Sequence, residues 1–123
     1  MNVTGATNLH GIVHDQSNNR ILVSDVGAIE GADNDDGAIH VINNADSASG
    51  AVSPVLSIVG ANTLLEDPVD IAYDGTYVYV AENFGDLVMR FDISGNPSGT
   101  QNLAPEAERQ SIDGPRSVGF VLN

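Results

Sequence analysis

The chain has no cysteine, no lysine and no tryptophan, and its cationic side chains are four arginines, at positions 20, 90, 109 and 116. Each shortage excludes something. Without cysteine there is no disulfide framework, no thiolate metal site and no thiol nucleophile. Against 17 aspartates and glutamates the arginines leave a formal charge of −13. Such a chain repels phosphate backbones and anionic lipid surfaces, so neither nucleic-acid binding nor membrane insertion is expected. No run of eighteen apolar residues occurs, and the opening MNVTGATNLHGIVHD lacks the basic segment and apolar stretch of a signal peptide. The chain therefore reads as soluble. Absence of cysteine suits a reducing compartment and a cysteine-poor exported protein alike, which leaves localisation open.

What is present is 123 residues, 41% of them hydrophobic, enough for one core. Short β-rich runs, bounded by Gly, Asn, Asp or Pro, recur about every dozen residues: Leu9–His14, Arg20–Ser24, Ala38–Ile42, Pro54–Val59, Val69–Tyr73, Thr76–Ala81, Leu87–Asp92 and Arg116–Leu122. That spacing predicts an all-β fold. Pro105–Gln110 could open a short helix, with Pro at the first helical position and two glutamates behind it.

An internal repeat decides between these readings. LHGIVHD (Leu9–Asp15) superposes on PVDIAYD (Pro68–Asp74) at an offset of 59, and ILVSD (Ile21–Asp25) on VYVAE (Val78–Glu82) at 57. GAIHVIN from Gly37 matches DLVMRFD from Asp86 at 49, SGAVSP from Ser49 matches SGTQNLAP from Ser98, and DPVDI from Asp67 is echoed by GPRSV from Gly114 at 47. Four strands thus recur in one order with a period of about fifty residues, the pattern of a four-stranded β-propeller blade. The repeat makes Pro105–Gln110 a strand. It divides the chain into a lead-in over 1–8, a first blade over 9–60, a second over 61–113 and, over 114–123, the inner strand of an incomplete third. The expected architecture is all-β: β-propeller blades of four-stranded antiparallel sheets, two blades plus one extra inner strand. Between the blades the core is expected to hold Ile12, Ile21, Val23, Val41, Ile71, Val78, Val80, Val88 and Phe91. Two blades cannot close a ring, so the expectation is a piece of a larger propeller or a chain completed by copies of itself.

The second unit resembles the NHL-type propeller repeat. Its Asp67–Pro68–Val69–Asp70–Ile71–Ala72–Tyr73–Asp74, Tyr77–Val78–Tyr79–Val80–Ala81–Glu82–Asn83 and Leu87–Val88–Met89–Arg90–Phe91–Asp92 match a Pro before a G-I-A-x-D strand, a Y-V-A-D/E-x-x-N turn and a strand ending in R-F. The first unit departs from this pattern, with Leu9 in the proline position and an inserted acidic loop. The resemblance covers about Leu9 to Leu122. It implies a propeller fold, an exported bacterial parent protein, and relatives that include metal-dependent lactonases of the SMP-30/gluconolactonase type and streptogramin-lyase-like proteins. Function does not follow from such a fold alone.

Two groups of residues carry candidate chemistry. Glu30, Asp33, Asp35 and Asp36 lie in the inserted Gly-containing loop, where carboxylates on a flexible backbone can wrap Ca²⁺ or another divalent cation. A solvated turn is the competing account. At the channel mouth expected of a propeller, His10, Asp25, Asp70 and Glu82 are candidate ligand-binding residues. Asp25 and Glu82 occupy equivalent repeat positions and could instead accept backbone amides, whereas Asp70 does not recur. His10 and His14 share one strand face, and His40 sits on a third strand. Core or turn histidines account for them better than a metal site, because no second metal-spacing motif supports one. No nucleophile elbow or phosphate-cradling loop is present. The resulting expectation is a non-catalytic propeller module that binds a small molecule, glycan or protein. The alternative is a portion of a metal-dependent lactonase-like or lyase-like enzyme.

Overall fold

A computed structural model describes residues 1–28, 35–110 and 113–120. The strands are β1 (Asn2–Val3), β2 (Leu9–Asp15), β3 (Arg20–Asp25), β4 (Ala38–Asn43), β5 (Ala51–Val52), β6 (Leu56–Val59), β7 (Pro68–Tyr73), β8 (Tyr77–Glu82), β9 (Leu87–Asp92), β10 (Gly99–Gln101) and β11 (Ala107–Gln110). Three single 3₁₀ turns are the only helical elements among the described residues. The chain is all-β.

Two antiparallel blade-like sheets hold the strands in the order of the repeat. The first runs β2-β3-β4-β6 and the second β7-β8-β9-β11. Turn chemistry sets the hairpins. Asp15 accepts the Asn18 amide and Asn19 takes a left-handed conformation (φ 51°), closing the β2–β3 turn. Asp74 accepts the amides of Thr76 and Tyr77, with Gly75 at φ 99°, closing β7–β8. The ambiguous Pro105–Gln110 segment forms β11, with Ala107 opposite Arg90. Once β9 offers an open edge, ladder bonds outweigh one turn of helix.

Strand alternation sorts the side chains into faces. Leu22, Ile39, Val41, Leu56 and Ile58 of the first sheet meet Ile71, Val78, Val80, Met89 and Phe91 of the second, forming the main core. At the inner strands the sheets touch backbone to backbone. A Cβ added to Gly11 would lie 2.9 Å from both Asp70 Cα and the Ile71 nitrogen. Arg20 spans the same junction, donating from Nε to Asp15 (2.7 Å) and from Nη2 to the Tyr73 hydroxyl (2.7 Å). On the opposite face of the first sheet, Val23 and Ile42 pack with Val3 of β1.

Three expectations are corrected. Ile12 is 63% exposed, although its repeat counterpart Ile71 is 4% exposed. It belongs to the back face of the first sheet, and the covering strand β1 does not reach it. Ile21 and Val88 are half-buried, and Val23 is buried on the back face of the first sheet under β1 and not between the sheets, while Val41, Ile71, Val78, Val80 and Phe91 are buried between the sheets as expected. The extra inner strand over Arg116–Leu122 is not formed within the described residues 116–120, because none of the described strands pairs with them. That segment is instead fastened to the second sheet: Val118 N–H donates to Asp70 Oδ2 (3.1 Å), and Asn83 Nδ2 donates to the Gly114 carbonyl (3.1 Å). A further element, β10, is contributed by the connector after β9. It pairs in parallel with β6, Gly99 opposite Leu56, and covers the outer edge of the first sheet.

Candidate functional site

Asp25 and Glu82 end equivalent strands, and each holds the segment that leads into its own sheet. Asp25 accepts the amides of Thr7 and Asn8, both at 2.8 Å, and that of Gly27 at 2.9 Å. Glu82 accepts the amides of Glu66 (3.0 Å) and Asp67 (2.6 Å). The backbone beside them repeats as well: Val26 N–H donates to Asn8 O and Asn83 N–H to Asp67 O, each at 3.0 Å. Their electrostatics diverge. Burial raises the Asp25 pKa, but the His40 imidazole beside it and hydrogen bonds from the amides of Gly27, Asn8 and Thr7 outweigh it and hold the group at about 2. Around Glu82, burial outweighs two amides and is reinforced by the charges of Glu66 and Asp67, which pushes the carboxyl up to about 7.

His10, Val69 and Arg116 are the same position of three successive units, offset by 59 and 47. With Asn83 they line one cavity of about 320 Å³ at the inner-strand end of the sheets. A second cavity shares Asn83 and Arg116 and adds Phe84, Asp86, Asp113 and Gly114. Arg20 is paired with Asp15 and Arg90 with Glu106, whereas Arg116 has no ion pair among the described residues. Asp70 lies on the adjoining strand and is occupied by Val118 N–H.

A cleft of about 550 Å³ opens on the back face of the first sheet. Its walls include Asp25, Asp35, Asp36, His40 and Ser57, together with Thr4, Thr7 and Thr100. His40 is opposite Ser57 across the β4–β6 ladder and opposite Val23 across β3–β4, and it is 6% exposed. Its Nδ1 is 2.8 Å from Ser57 Oγ. Its Nε2 stands 3.6 Å from Asp25 Oδ2 and has no hydrogen-bond partner among the described residues.

The four channel-mouth candidates are thus dispersed: His10 in the inner-strand cavity, Asp25 at the back-face cleft, Glu82 buried under a lead-in segment and Asp70 beneath the terminal segment. Of the candidate Ca²⁺ ligands, Glu30 and Asp33 lie outside the described residues. Asp35 and Asp36 line the back-face cleft, where Asp36 Oδ2 accepts Ala28 N–H (2.7 Å). No three His, Asp or Glu side chains among the described residues come together to hold a metal ion. Sequence reasoning missed Arg116 and Ser57. The 47-residue offset carries a signal for Arg116, since it sets Arg116 on Val69 and His10; Ser57 becomes visible only once the β4–β6 register is known. Comparison with protein-family models, curated proteins and solved structures finds no match to this chain.

Proposed function

We propose that this chain is a ligand-binding β-propeller repeat module of the NHL-like kind, acting within a larger ring or within one completed by copies of itself. The observation that carries the reading is the convergence of His10, Val69 and Arg116 on one cavity. Equivalent positions of successive blades meet in this way only around a common axis, which is where propellers bind ligands. The packing of the units supports it too. Gly11 lies against the Ile71 backbone, and Val118 N–H donates to Asp70, so matched positions of successive units are neighbours in both cases.

The ligand this cavity suits carries a carboxylate. Two of the three side chains at this repeat position are basic in a strongly acidic chain, and Arg116 is not spent on an ion pair among the described residues. A guanidinium offers a carboxylate two parallel hydrogen bonds. Exposed Phe84 beside it provides an apolar face on which a sugar ring can stack. The test is a thermal-shift titration with glucuronate, galacturonate and sialic acid on the wild-type chain and on Arg116→Ala. A stabilisation by at least one of these acids that the variant loses is expected. Identical melting with and without all three, in a folded chain, rejects the carboxylate-binding reading.

A further inference from the structure

We infer that Ser57, His40 and Asp25 form a nucleophilic site able to accept an acyl group from an activated ester. The site lies on the back face of the first sheet, away from the inner-strand cavity, and does not rest on the ligand proposed there. At the repeat position of His40 the second sheet carries Met89, buried in the core between the sheets. The first sheet therefore departs from its own repeat by placing a buried imidazole where packing calls for a thioether. It also surrounds that imidazole with the two partners a base needs.

The geometry assigns the roles. Asp25 is held ionised by three backbone amides, and its Oδ2 lies 3.6 Å from Nε2. A carboxylate on that side favours the tautomer with the proton on Nε2, which leaves Nδ1 as the acceptor for the Ser57 hydroxyl at 2.8 Å. Asp25 and His40 are buried behind Ser57, which is half-buried and lines the cleft. A nucleophile within hydrogen-bond reach of its base, with the base oriented by a third group, is the arrangement that activates a serine. The Nε2 to Asp25 separation is longer than a hydrogen bond, and such contacts commonly tighten when substrate binds. Thr4, Thr7 and Thr100 line the same cleft.

In the step proposed, Ser57 Oγ forms a bond to the ester carbonyl carbon while its proton passes to His40 Nδ1. The bond from that carbon to the leaving alkoxide or phenolate oxygen then breaks, and the leaving oxygen takes the proton from Nδ1. The acyl group remains on Oγ until water, deprotonated by the same nitrogen, releases it as the acid and restores the serine. Ser57 and His40 are the catalytic residues; Asp25 is a positioning residue.

The whole chain is incubated with p-nitrophenyl acetate, and peptide mass mapping locates the acetyl group. Acetylation concentrated on Ser57 is expected. Ser57→Ala should lose it while remaining folded, as its melting curve checks, although the lost bond to the buried His40 lowers the midpoint. His40→Gln should slow it by about a hundredfold. Asp25→Asn should displace the pH profile of the acetylation rate, and Asp25→Glu should return it toward wild type. Acetyl groups spread over surface hydroxyls, a rate unchanged in a folded Ser57→Ala chain, or a wild-type pH profile in Asp25→Asn overturns the proposal.

Discussion

Asp25 and Glu82 do the same mechanical job at the same place in two sheets, yet they respond to acid with opposite sign. Asp25 titrates near 2 in the folded chain against an ordinary 3.8. Its contribution is present above pH 3.8 and is lost as pH falls through 2, about 2 kcal/mol at 1.36 kcal/mol per pKa unit. Glu82 titrates near 7 against an ordinary 4.5. Its contribution is present in full below pH 4.5 and is lost as pH rises through 7, about 3 kcal/mol on the same scale. Unfolding free energies measured by urea between pH 2 and 8 should therefore peak near pH 4 to 5. Glu82→Gln should be less stable than wild type at that peak, because its amide nitrogen turns a donor toward a backbone N–H. It should nevertheless show no decline from there to pH 7. A decline as steep as that of wild type would remove Glu82 as its cause. Glycine at position 11 makes a second residue-scale prediction. The atoms its Cβ would meet are mainly backbone of β7, which cannot swing aside, so Gly11→Ala should cost about 1–3 kcal/mol in the same assay.

Among the elements, β10 depends most on one residue. Gly99 has φ 75°, and its N–H donates to the Val55 carbonyl (2.8 Å) just before the parallel ladder with β6 begins. Gly99→Pro cannot adopt that angle or make that bond, and should cost more than about 1 kcal/mol. It should also release β10 and leave the edge of β6 open to other chains, seen as concentration-dependent growth in light scattering. A variant that unfolds at the wild-type urea midpoint would show that β10 is not held there. No sequence signal announced this strand, because the connector pairs with a segment some forty residues earlier and has no alternation of its own. The repeat strands were legible where alternation is coupled to a flanking turn residue: Val78 and Val80 alternate with Tyr77 and Tyr79, and Asp74–Gly75 turns the chain before them; β11, exposed throughout and without alternation, was legible only through the repeat. Ile12 was misread because periodicity assigns a side chain to a face and does not say whether another layer covers that face. The equivalence of Asp25 and Glu82 was legible, whereas the amides they hold, 15 to 18 residues upstream, follow only from how the lead-in segments fold back. His40 could be placed on a strand, but its partners Ser57 and Asp25 depend on cross-strand register.

At the scale of the molecule, the two outer faces are unlike. The back face of the first sheet exposes Ile12 beside the acidic cleft of Asp25, Asp35 and Asp36. The front face of the second sheet presents Tyr77, Tyr79 and Arg90, with the Arg90 guanidinium 4.1 Å from the Tyr77 ring centroid and Phe120 edge-on to Tyr79 at 5.2 Å. Arg109 projects from the neighbouring strand of that face, opposite Val88. Because these surfaces differ in sign and in kind, copies of the chain would meet front to back. A contact of that sort closes into a ring when the rotation per copy allows it and otherwise continues as a filament. Propellers have about four to eight blades, so two to four copies would complete one. Light scattering on the purified chain should then give a discrete mass of two to four times 12.8 kDa. Ile12→Asp should shift the population to monomer, because it adds like charge to an acidic face and removes the apolar contact. It should leave the unfolding midpoint of the monomer nearly unchanged, since the side chain is mostly in solvent already. Raising salt should weaken the wild-type assembly, as expected where arginines meet carboxylates near the surface. A single 12.8 kDa species at every concentration, unaffected by Ile12→Asp, would leave a larger parent ring as the surviving form of the propeller reading.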